Sequence, residues 1–299
     1  MNRREALKRM GASLAAIALA GVAPKTYAAI LNDRANDKKR LVFYFTATGN
    51  SLFIAKSLSD NPISIPQELK KSNLSYEADE IGFVFPDYAA SAPIIVRDFL
   101  QKAKFSAKYM FSVITFGNAA VNVCQWWDKF SKENGVTFHY IKSILMVDNY
   151  LPVFDMNQQM TIDKHTDENL AAIIEDLNAH KSFVETAEMG RFNEDMLKRM
   201  QDQHFSMTAD RLLELKKDRC IECMTCGNVC PHGNFSLGSD GLVISSGRCE
   251  YCLACVHACP QKALTLKSPN PQWPGERNPE ARYRNPNISL NEIINSNRQ

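Results

Sequence analysis

The chain has 299 residues, enough for one large domain and one small domain. Hydrophobic residues make up 45% of the chain and charged residues 23%, which is typical of a globular protein. The formal net charge is only +2, and no block of lysine and arginine follows the N-terminal segment. This near-neutral composition argues against nucleic acid as a partner.

The first 28 residues have the features of an export signal. Arg3 and Arg4 precede a short apolar run from Leu14 to Ala23, and small residues follow. The run is too short to span a bilayer, and this order of segments is typical of a cleaved signal. The paired arginines resemble a twin-arginine signal, which exports folded proteins, although Ala6 departs from its pattern. We predict export to the periplasm with the twin-arginine machinery as a transient partner; the alternative is a cytoplasmic protein or one tethered to the membrane by an uncleaved signal.

Strands and helices alternate through most of the remaining chain. Apolar runs predict strands at 41–45, 63–65, 81–85, 109–116 and 138–147. Helices are expected at 52–58, 93–102, 121–133 and 166–188. Continuous apolar strands that alternate with helices predict an α/β fold with a doubly wound parallel sheet covered on both faces.

The C-terminal part of the chain has a different character. A polar helical connector leads into the segment that contains most of the cysteines, and a final segment with several Pro and Asn residues is expected to be weakly structured. We therefore divide the chain into a signal (1–28), a linker (29–40), a large domain (41–189), a connector (190–210), a small domain (211–268) and a C-terminal tail (269–299).

Eight of the nine cysteines form two copies of one motif. The copies are Cys220, Cys223, Cys226 and Cys230, followed by Pro231, and Cys249, Cys252, Cys255 and Cys259, followed by Pro260. Both copies match the C-x₂-C-x₂-C-x₃-C-P spacing of bacterial ferredoxins. A structural zinc site is the alternative, but zinc uses four ligands and here a complete set of four is duplicated. The spacing therefore favours two [4Fe–4S] clusters.

In the ferredoxins that this motif resembles, the fourth cysteine of each copy ligates the other cluster. The resemblance implies one cluster on Cys220, Cys223, Cys226 and Cys259, and a second on Cys249, Cys252, Cys255 and Cys230. His232 and His257 lie beside these positions, but cysteine fills every ligand position, so we expect both to have surface or packing roles. Cys124 stands apart from the motifs and is expected to be a buried thiol.

A hydroxyl-rich loop follows the first predicted strand and precedes a helix. It consists of Thr46, Ala47, Thr48, Gly49, Asn50 and Ser51. Hydroxyls and N–H groups at a helix N-terminus suit a phosphate group. The loop lacks the Gly-Lys-Ser/Thr sequence of a P-loop and the spacing of a dinucleotide site, and it resembles the loop that holds the FMN phosphate in flavodoxins. The alternative is a helix cap without a ligand.

The loops at the carboxyl ends of the other predicted strands offer further contacts for a flavin. Ligands of doubly wound sheets bind at this edge. We predict that Tyr88 stacks on the flavin ring and that Gly117 and Asn118 let the backbone approach it. Asn149 and Tyr150 are either further contacts or only parts of a turn.

The two halves together resemble the flavodoxin–ferredoxin fusion proteins of anaerobic bacteria, over residues 41–268. The resemblance implies a flavodoxin-like doubly wound parallel sheet with a second, small α+β ferredoxin domain that holds two [4Fe–4S] clusters. It also implies FMN, and electron transfer that couples one-electron and two-electron carriers. We therefore expect the small domain to lie over the carboxyl ends of the strands; the alternative is two freely swinging domains.

Three functions remain open at this point. The chain is an electron carrier between redox partner proteins, a flavin-dependent reductase of a small organic acceptor such as a quinone, or a flavin-free scaffold that only positions the clusters. The absence of a clear acid–base pair favours the carrier. Whether the chain is an enzyme therefore stays open, and no catalytic residue is assigned.

Overall fold

The computed structural model describes residues 39–267 and 275–299. The predicted signal, residues 1–28, and nearly all of the predicted linker lie outside the described residues. No helix in the described ranges is both long enough and apolar enough to cross a membrane.

The larger domain is built on one parallel sheet of six strands. These are β1 (Arg40–Tyr44), β2 (Ile63–Ser64), β3 (Ser75–Pro86), β4 (Lys104–Phe116), β5 (Tyr140–Leu145) and β6 (Phe183–Val184). They lie in the order β2-β1-β3-β4-β5-β6, and each neighbouring pair is parallel. This is the flavodoxin-like order 2-1-3-4-5 with one short strand added at the edge. The predicted fold class is confirmed.

The central strands are apolar at successive positions because helices cover both faces of the sheet. Phe83 of β3 and Phe111 of β4 are fully buried. The helices of this domain are α1 (Asn50–Leu58), α2 (Ile65–Glu68), α3 (Ile94–Lys102), α4 (Val123–Glu133), α5 (Met156–Gln159) and α6 (Thr166–Asn178). Each of the longer helices turns an apolar stripe towards the sheet.

The helix predicted over 166–188 is shorter than expected. It ends at Asn178, and its buried face consists of Leu170, Ala171, Ile173, Ile174 and Leu177. The chain then enters β6, where Phe183 and Val184 pair with β5. The helical spacing of apolar residues stops at Leu177, and the pair that follows is β-branched or aromatic, which suits a strand. That part of the prediction is wrong.

The small domain contains two antiparallel pairs of strands and short helices. After α7 (Glu194–Phe205), its elements are α8 (Ala209–Leu212), β7 (Leu213–Leu215), α9 (Thr225–Asn228), β8 (Phe235–Gly238), β9 (Gly241–Ile244), α10 (Ala254–Ala258) and β10 (Leu264–Leu266). β7 pairs with β10, and β8 pairs with β9. Its apolar core also takes in Leu151 and Met156, which follow β5. The two domains are therefore packed against each other.

The described part of the tail is ordered, contrary to the prediction of a weakly structured segment. It contains α11 (Leu290–Asn297), which begins with a capping box between Ser289 and Glu292. Ile288 and Ile293 are 2% and 3% exposed and join the core of the larger domain. The high content of Pro and Asn is misleading here, because the polar side chains of this segment find partners in the larger domain.

Candidate functional site

A cavity of about 680 Å³ lies between the two domains, at the carboxyl ends of the parallel strands. Its size is in the range of ligand pockets, roughly 300–1,000 Å³. Every residue predicted to bind a cofactor lines it except Gly49, namely Thr46, Ala47, Thr48, Asn50, Ser51, Tyr88, Gly117 and Asn118. The fold thus brings together three loops that are far apart in the sequence.

The hydroxyl groups of the loop after β1 are almost completely buried. Thr46 and Ser51 are each 1% exposed, and Thr48 is 2% exposed. Thr46 Oγ1 accepts a hydrogen bond from the Gly49 N–H at 3.1 Å, and Thr48 Oγ1 accepts one from Asn149 Nδ2 at 2.6 Å. These two hydrogen bonds fix the positions of the threonine side chains in the loop.

The start of α1 offers N–H groups to a ligand. Gly49 is the N-cap residue, with φ of 102°, and no side chain caps the helix. Glycine is favoured here because φ lies in the left-handed region, and an added Cβ would lie 3.0 Å from side-chain atoms of Asn285 and Ile288. The first N–H groups of a helix attract an anion. This position suits the phosphate of the predicted cofactor.

Asn50 has a bracing role that the sequence does not reveal. Its Nδ2 donates to the Val147 carbonyl at 3.1 Å. Its Oδ1 accepts from the Tyr283 hydroxyl at 2.7 Å and from Asn285 Nδ2 at 3.2 Å. The tail therefore holds the loop in place through Tyr283 and Asn285. The tail residues of this brace were missed because long-range hydrogen bonds leave no local sequence signal.

Close packing within the larger domain requires a glycine at position 117. A Cβ at this position would lie 2.4 Å from the Cα of Asp148. The backbone carbonyl of Gly117 also accepts a hydrogen bond from Lys164 Nζ at 3.2 Å. Asn118 is exposed at the rim of the cavity. Close packing of two loops, β4 to α4 and β5 to α5, thus explains this glycine without a ligand.

The ring of Tyr88 belongs to an aromatic row that crosses the domain interface. Its centroid is 5.5 Å from that of His204, which in turn stacks on Tyr251 at 4.9 Å. Tyr251 lies 5.9 Å from Tyr150. Tyr88 also lines the cavity. Its contact with a flavin ring stays a prediction.

The loop that carries Tyr88 has an unusual backbone. Ala89 and Ala90 have φ of 54° and 57°, in the left-handed region. Such conformations cost of order 1–3 kcal/mol each and occur often at functional sites. The Asp87 carboxylate accepts a hydrogen bond from the Ser91 N–H at 3.1 Å, which closes the turn.

Two carboxyl groups in the cavity wall were not singled out from the sequence. Burial raises the pKa of the Asp87 carboxyl well above its usual range, and the nearby charge of Asp148 raises it further. Burial also raises the pKa of Asp148. Asp87 directly follows β3, and Asp148 lies three residues after the end of β5, at the edge where ligands bind; that position was the available signal. Together they could hold protons inside the cavity.

The eight motif cysteines line two small cavities in the small domain. We call one set the outer quartet, which consists of Cys220, Cys223, Cys226 and Cys259. We call the other the inner quartet, which consists of Cys230, Cys249, Cys252 and Cys255. In each set, three cysteines come from one motif and the fourth comes from the other motif.

The thiols of the quartets are buried to different extents. Burial raises the pKa of Cys252 and Cys255 well above the usual range and raises that of Cys249 to about 12. In the outer quartet, burial also raises the pKa of Cys226 to about 12, but Cys223 is exposed and its pKa is lowered by a hydrogen bond with Thr225. Metal ligation requires thiolates, so cluster binding by the inner quartet must displace protons from buried groups.

Glu250, which lies between Cys249 and Cys252, joins the two domains. Its carboxylate is 1% exposed and accepts hydrogen bonds from the N–H groups of Ile94 at 2.9 Å and Ile95 at 3.0 Å. These groups start α3, where the helix dipole favours a negative charge. This contact fixes the inner quartet at the carboxyl edge of the sheet, in agreement with the docked arrangement expected from the sequence.

The two histidines beside the motifs form hydrogen bonds. His232 Nε2 donates to Glu250 Oε1 at 2.8 Å. His257 Nε2 donates to the Asn149 carbonyl at 2.9 Å, and its Nδ1 accepts from the Tyr283 N–H at 3.0 Å. Both have the packing roles expected of them. Cys124 is 4% exposed, as expected for a buried thiol.

A family model for a 4Fe-4S dicluster domain matches residues 219–263. This segment includes all eight cysteines of the two motifs. No curated protein matches the chain. The small domain is therefore a ferredoxin-type domain that binds a [4Fe–4S] cluster, and its chemistry is iron–sulfur electron transfer.

Proposed function

We propose that the chain transfers electrons between two [4Fe–4S] clusters and FMN, as the resemblance to flavodoxin–ferredoxin fusion proteins implies. One observation carries the proposal. Thr48 of the phosphate-type loop and Cys252 of the inner quartet line the same cavity. A flavin in this cavity would lie beside a cluster ligand, so electrons would not need to cross the body of either domain.

The proposal assigns one cluster to each quartet. The crossed grouping of the cysteines around two separate cavities supports this assignment, because it is the grouping that the ferredoxin motif requires. Backbone N–H groups that donate to cysteine sulfurs also support the assignment of a cluster to each quartet. Those of Tyr251 and Ala263 point to the sulfurs of Cys249 and Cys259, at 3.4 Å and 3.2 Å. Such hydrogen bonds tune cluster potentials.

FMN fits the residues at the other end of the cavity. The uncapped N-terminus of α1 suits a single phosphate, and the loop has no second pyrophosphate fingerprint, so FMN is favoured over a dinucleotide. Tyr88, Gly117 and Asn118 would face the ring. When bound, FMN accepts two electrons, whereas each cluster passes one.

The cofactor content tests this proposal. Protein loaded anaerobically should contain about eight iron and eight sulfide per chain, as two four-cysteine sites require, and one FMN. Thr48→Leu should release FMN and keep the iron, whereas Thr161→Leu, at an exposed threonine outside the cavity, should keep both. FMN at wild-type level in Thr48→Leu would place the flavin elsewhere. Wild-type protein that binds clusters and no flavin would support the scaffold instead.

Flash reduction tests the electron transfer itself. The packed domains should equilibrate an injected electron between cluster and flavin at a rate independent of protein concentration. Flavin and cluster absorbance followed over a dilution series would measure this rate. A rate proportional to concentration would contradict transfer within one chain and favour exchange between partner proteins.

We also propose that the chain is exported after its cofactors are inserted. The support is the twin-arginine resemblance of Arg3 and Arg4. Changing both arginines to Lys should trap a longer, cofactor-loaded precursor in the cytoplasm. Wild-type protein found in the cytosol with residues 1–28 intact would contradict export.

A further inference from the structure

The cavity between the domains has a second part that the proposed flavin contacts do not use. We call it the apolar chamber. It is lined by Phe154, Phe192, Leu197, Met200, Met207 and Leu212. These residues come from the segment after β5, from α7 and the residues next to its two ends, and from the start of the small domain. The chamber is thus built where three parts of the chain meet.

Helix α7 forms one wall of the chamber and is fixed at its C-terminal end. The Arg97 guanidinium lies between the rings of Phe205 and Trp126, at 4.2 Å and 4.7 Å from their centroids. The His204 ring stacks on Tyr251 and packs at a tilt against Tyr88. Within the helix, Leu197 is 3% exposed and lines the chamber. This connector is therefore a wall of the cavity and not only a link between domains.

The cavity is also lined by four aromatic side chains, namely Tyr88, Tyr150, His204 and Tyr251. The hydroxyl-rich loop and the residues of the apolar chamber line the same cavity. The chamber and the loop belong to one continuous space. A molecule in the chamber would therefore share the cavity with the flavin and with Cys252. Burial lowers the pKa of His204 to about 4, so its ring is neutral near pH 7 and adds no charge to this space.

We propose that the apolar chamber binds a flat, apolar organic electron acceptor of the quinone class. This inference rests on the proposed function, since the electrons must come through the clusters and the flavin. The chamber is part of a cavity of about 680 Å³ that lies between the domains and is partly open to solvent, a size that suits a small molecule and not a folded protein. Its wall is mostly apolar with a few polar groups, as in sites for small organic molecules. A quinone also matches the two-electron capacity of FMN.

The reaction balances with an external one-electron donor. The quinone gains two electrons and two protons and becomes a hydroquinone. Two donor molecules are each oxidised by one electron, and the protons come from water. The chain itself is unchanged at the end of the cycle.

Two methionines of α7 provide a matched pair of variants. Met200 lines the chamber and is 41% exposed, whereas Met196 does not line it and is 38% exposed. Met200→Glu places a charge at the chamber wall, and Met196→Glu places the same charge one helical turn away. Loss of apolar contact and desolvation of the new carboxylate should weaken binding by at least about tenfold in Met200→Glu only.

Equilibrium dialysis of the anaerobic, cofactor-loaded protein against menadione measures binding directly. Wild type and Met196→Glu should bind menadione alike, and Met200→Glu should bind at least about tenfold more weakly, because charge opposes apolar burial. Steady-state reduction of menadione should show the same order in KM. Naphthoquinone sulfonate should bind wild type more weakly than menadione does. Met200→Trp fills the chamber without adding charge and should also bind menadione more weakly. This variant tests the inference if Met200→Glu does not fold.

Equal binding by both glutamate variants, or no preference for menadione over its sulfonated relative, would overturn the inference. Binding of decanoate without binding of menadione would also overturn it, because a saturated acid accepts no electrons. Flash reduction in the absence of menadione separates this inference from the proposed function. If the clusters and the flavin equilibrate but menadione does not bind, the inference about the chamber is wrong and the proposed function stands. If menadione binds to protein that holds no FMN, the proposed function is wrong, although the chamber still binds the quinone.

Discussion

The two cysteine quartets share one sequence motif but lie in different surroundings. In the inner quartet, Cys252 is 9% exposed and lines the cavity between the domains. In the outer quartet, Cys223 is exposed, and its neighbour Ile221 is 60% exposed. None of the outer cysteines lines the large cavity in the described part of the chain. The comparison teaches that the motif sets the spacing of the cysteines, whereas neighbouring residues set which quartet borders the cavity between the domains and which faces solvent.

The largest expected effect comes from removing one ligand of each quartet. Cys252→Ser should cost the inner cluster, about half of the iron, and should stop electron transfer from cluster to flavin. Cys223→Ser should cost the outer cluster and leave transfer from the inner cluster to the flavin in place. Iron analysis and flash reduction would measure both effects. Equal loss of flavin reduction in the two variants would contradict the inner and outer roles.

The contact that holds the inner quartet against the sheet should have the next largest effect. Glu250→Ala leaves the N–H groups of Ile94 and Ile95 and the ring of His232 without their acceptor. Loss of a buried, hydrogen-bonded carboxylate should lower the free energy of unfolding by roughly 3 kcal/mol. Denaturant unfolding would measure this, and electron transfer between cluster and flavin should slow as docking weakens.

Arg248→Ala is the control for that change. It removes the exposed ion pair with Asp98, at 2.7 Å on the same interface. Exposed pairs contribute about 0–1 kcal/mol, so the free energy of unfolding should change little. A loss as large as that of Glu250→Ala would show that the buried carboxylate has no special part in docking.

The free energy of unfolding should depend on pH through His204, which is half-buried at the domain interface. Burial lowers its pKa in the folded protein to about 4, below the usual value of about 6.5. Between these values the unfolded chain binds a proton and the folded chain does not. The contribution of neutral His204 is therefore present above pH 6.5 and is lost as pH falls towards 4, by up to about 3 kcal/mol.

His204→Gln should reduce this loss. Free energies of unfolding measured by denaturant between pH 7 and pH 4 would give the slopes. His257 has its pKa lowered to about 4 by burial as well, so part of the slope should remain. Identical slopes in wild type and variant would show that His204 is not buried neutral at the interface.

The smallest expected effect concerns the brace from the tail. Tyr283→Phe removes the hydroxyl that donates to Asn50 Oδ1 at 2.7 Å. Loss of one such hydrogen bond should lower the free energy of unfolding by about 1 kcal/mol and weaken FMN binding a few-fold, because the loop is less firmly held. Flavin fluorescence titration would measure the binding. Unchanged affinity with lowered stability would show that the brace serves the fold and not the site.

Local sequence patterns were sufficient for the first five strands of the sheet and for the ferredoxin domain. The runs at β1, β3 and β4 are apolar at successive positions because both faces of a parallel sheet are covered, and this signal is strong in a single sequence. The end of α6 was misplaced and β6 was not predicted, since Phe183 and Val184 form a strand only by pairing with β5. The tail was misjudged for the same reason, because its order depends on distant partners such as Asn50.

The sequence alone was sufficient to identify the iron–sulfur domain and to propose the residues of the candidate sites. The cysteine spacing identified the iron–sulfur domain, and the loop from Thr46 to Ser51 marked a candidate phosphate site, because both are short-range patterns. Only the tertiary structure decided that Cys252, rather than Cys223, shares a cavity with that loop. It also decided that Glu250 caps α3 and that α7 walls the apolar chamber. These contacts join residues far apart in the chain, and their formation depends on how the two domains pack, which no local pattern encodes.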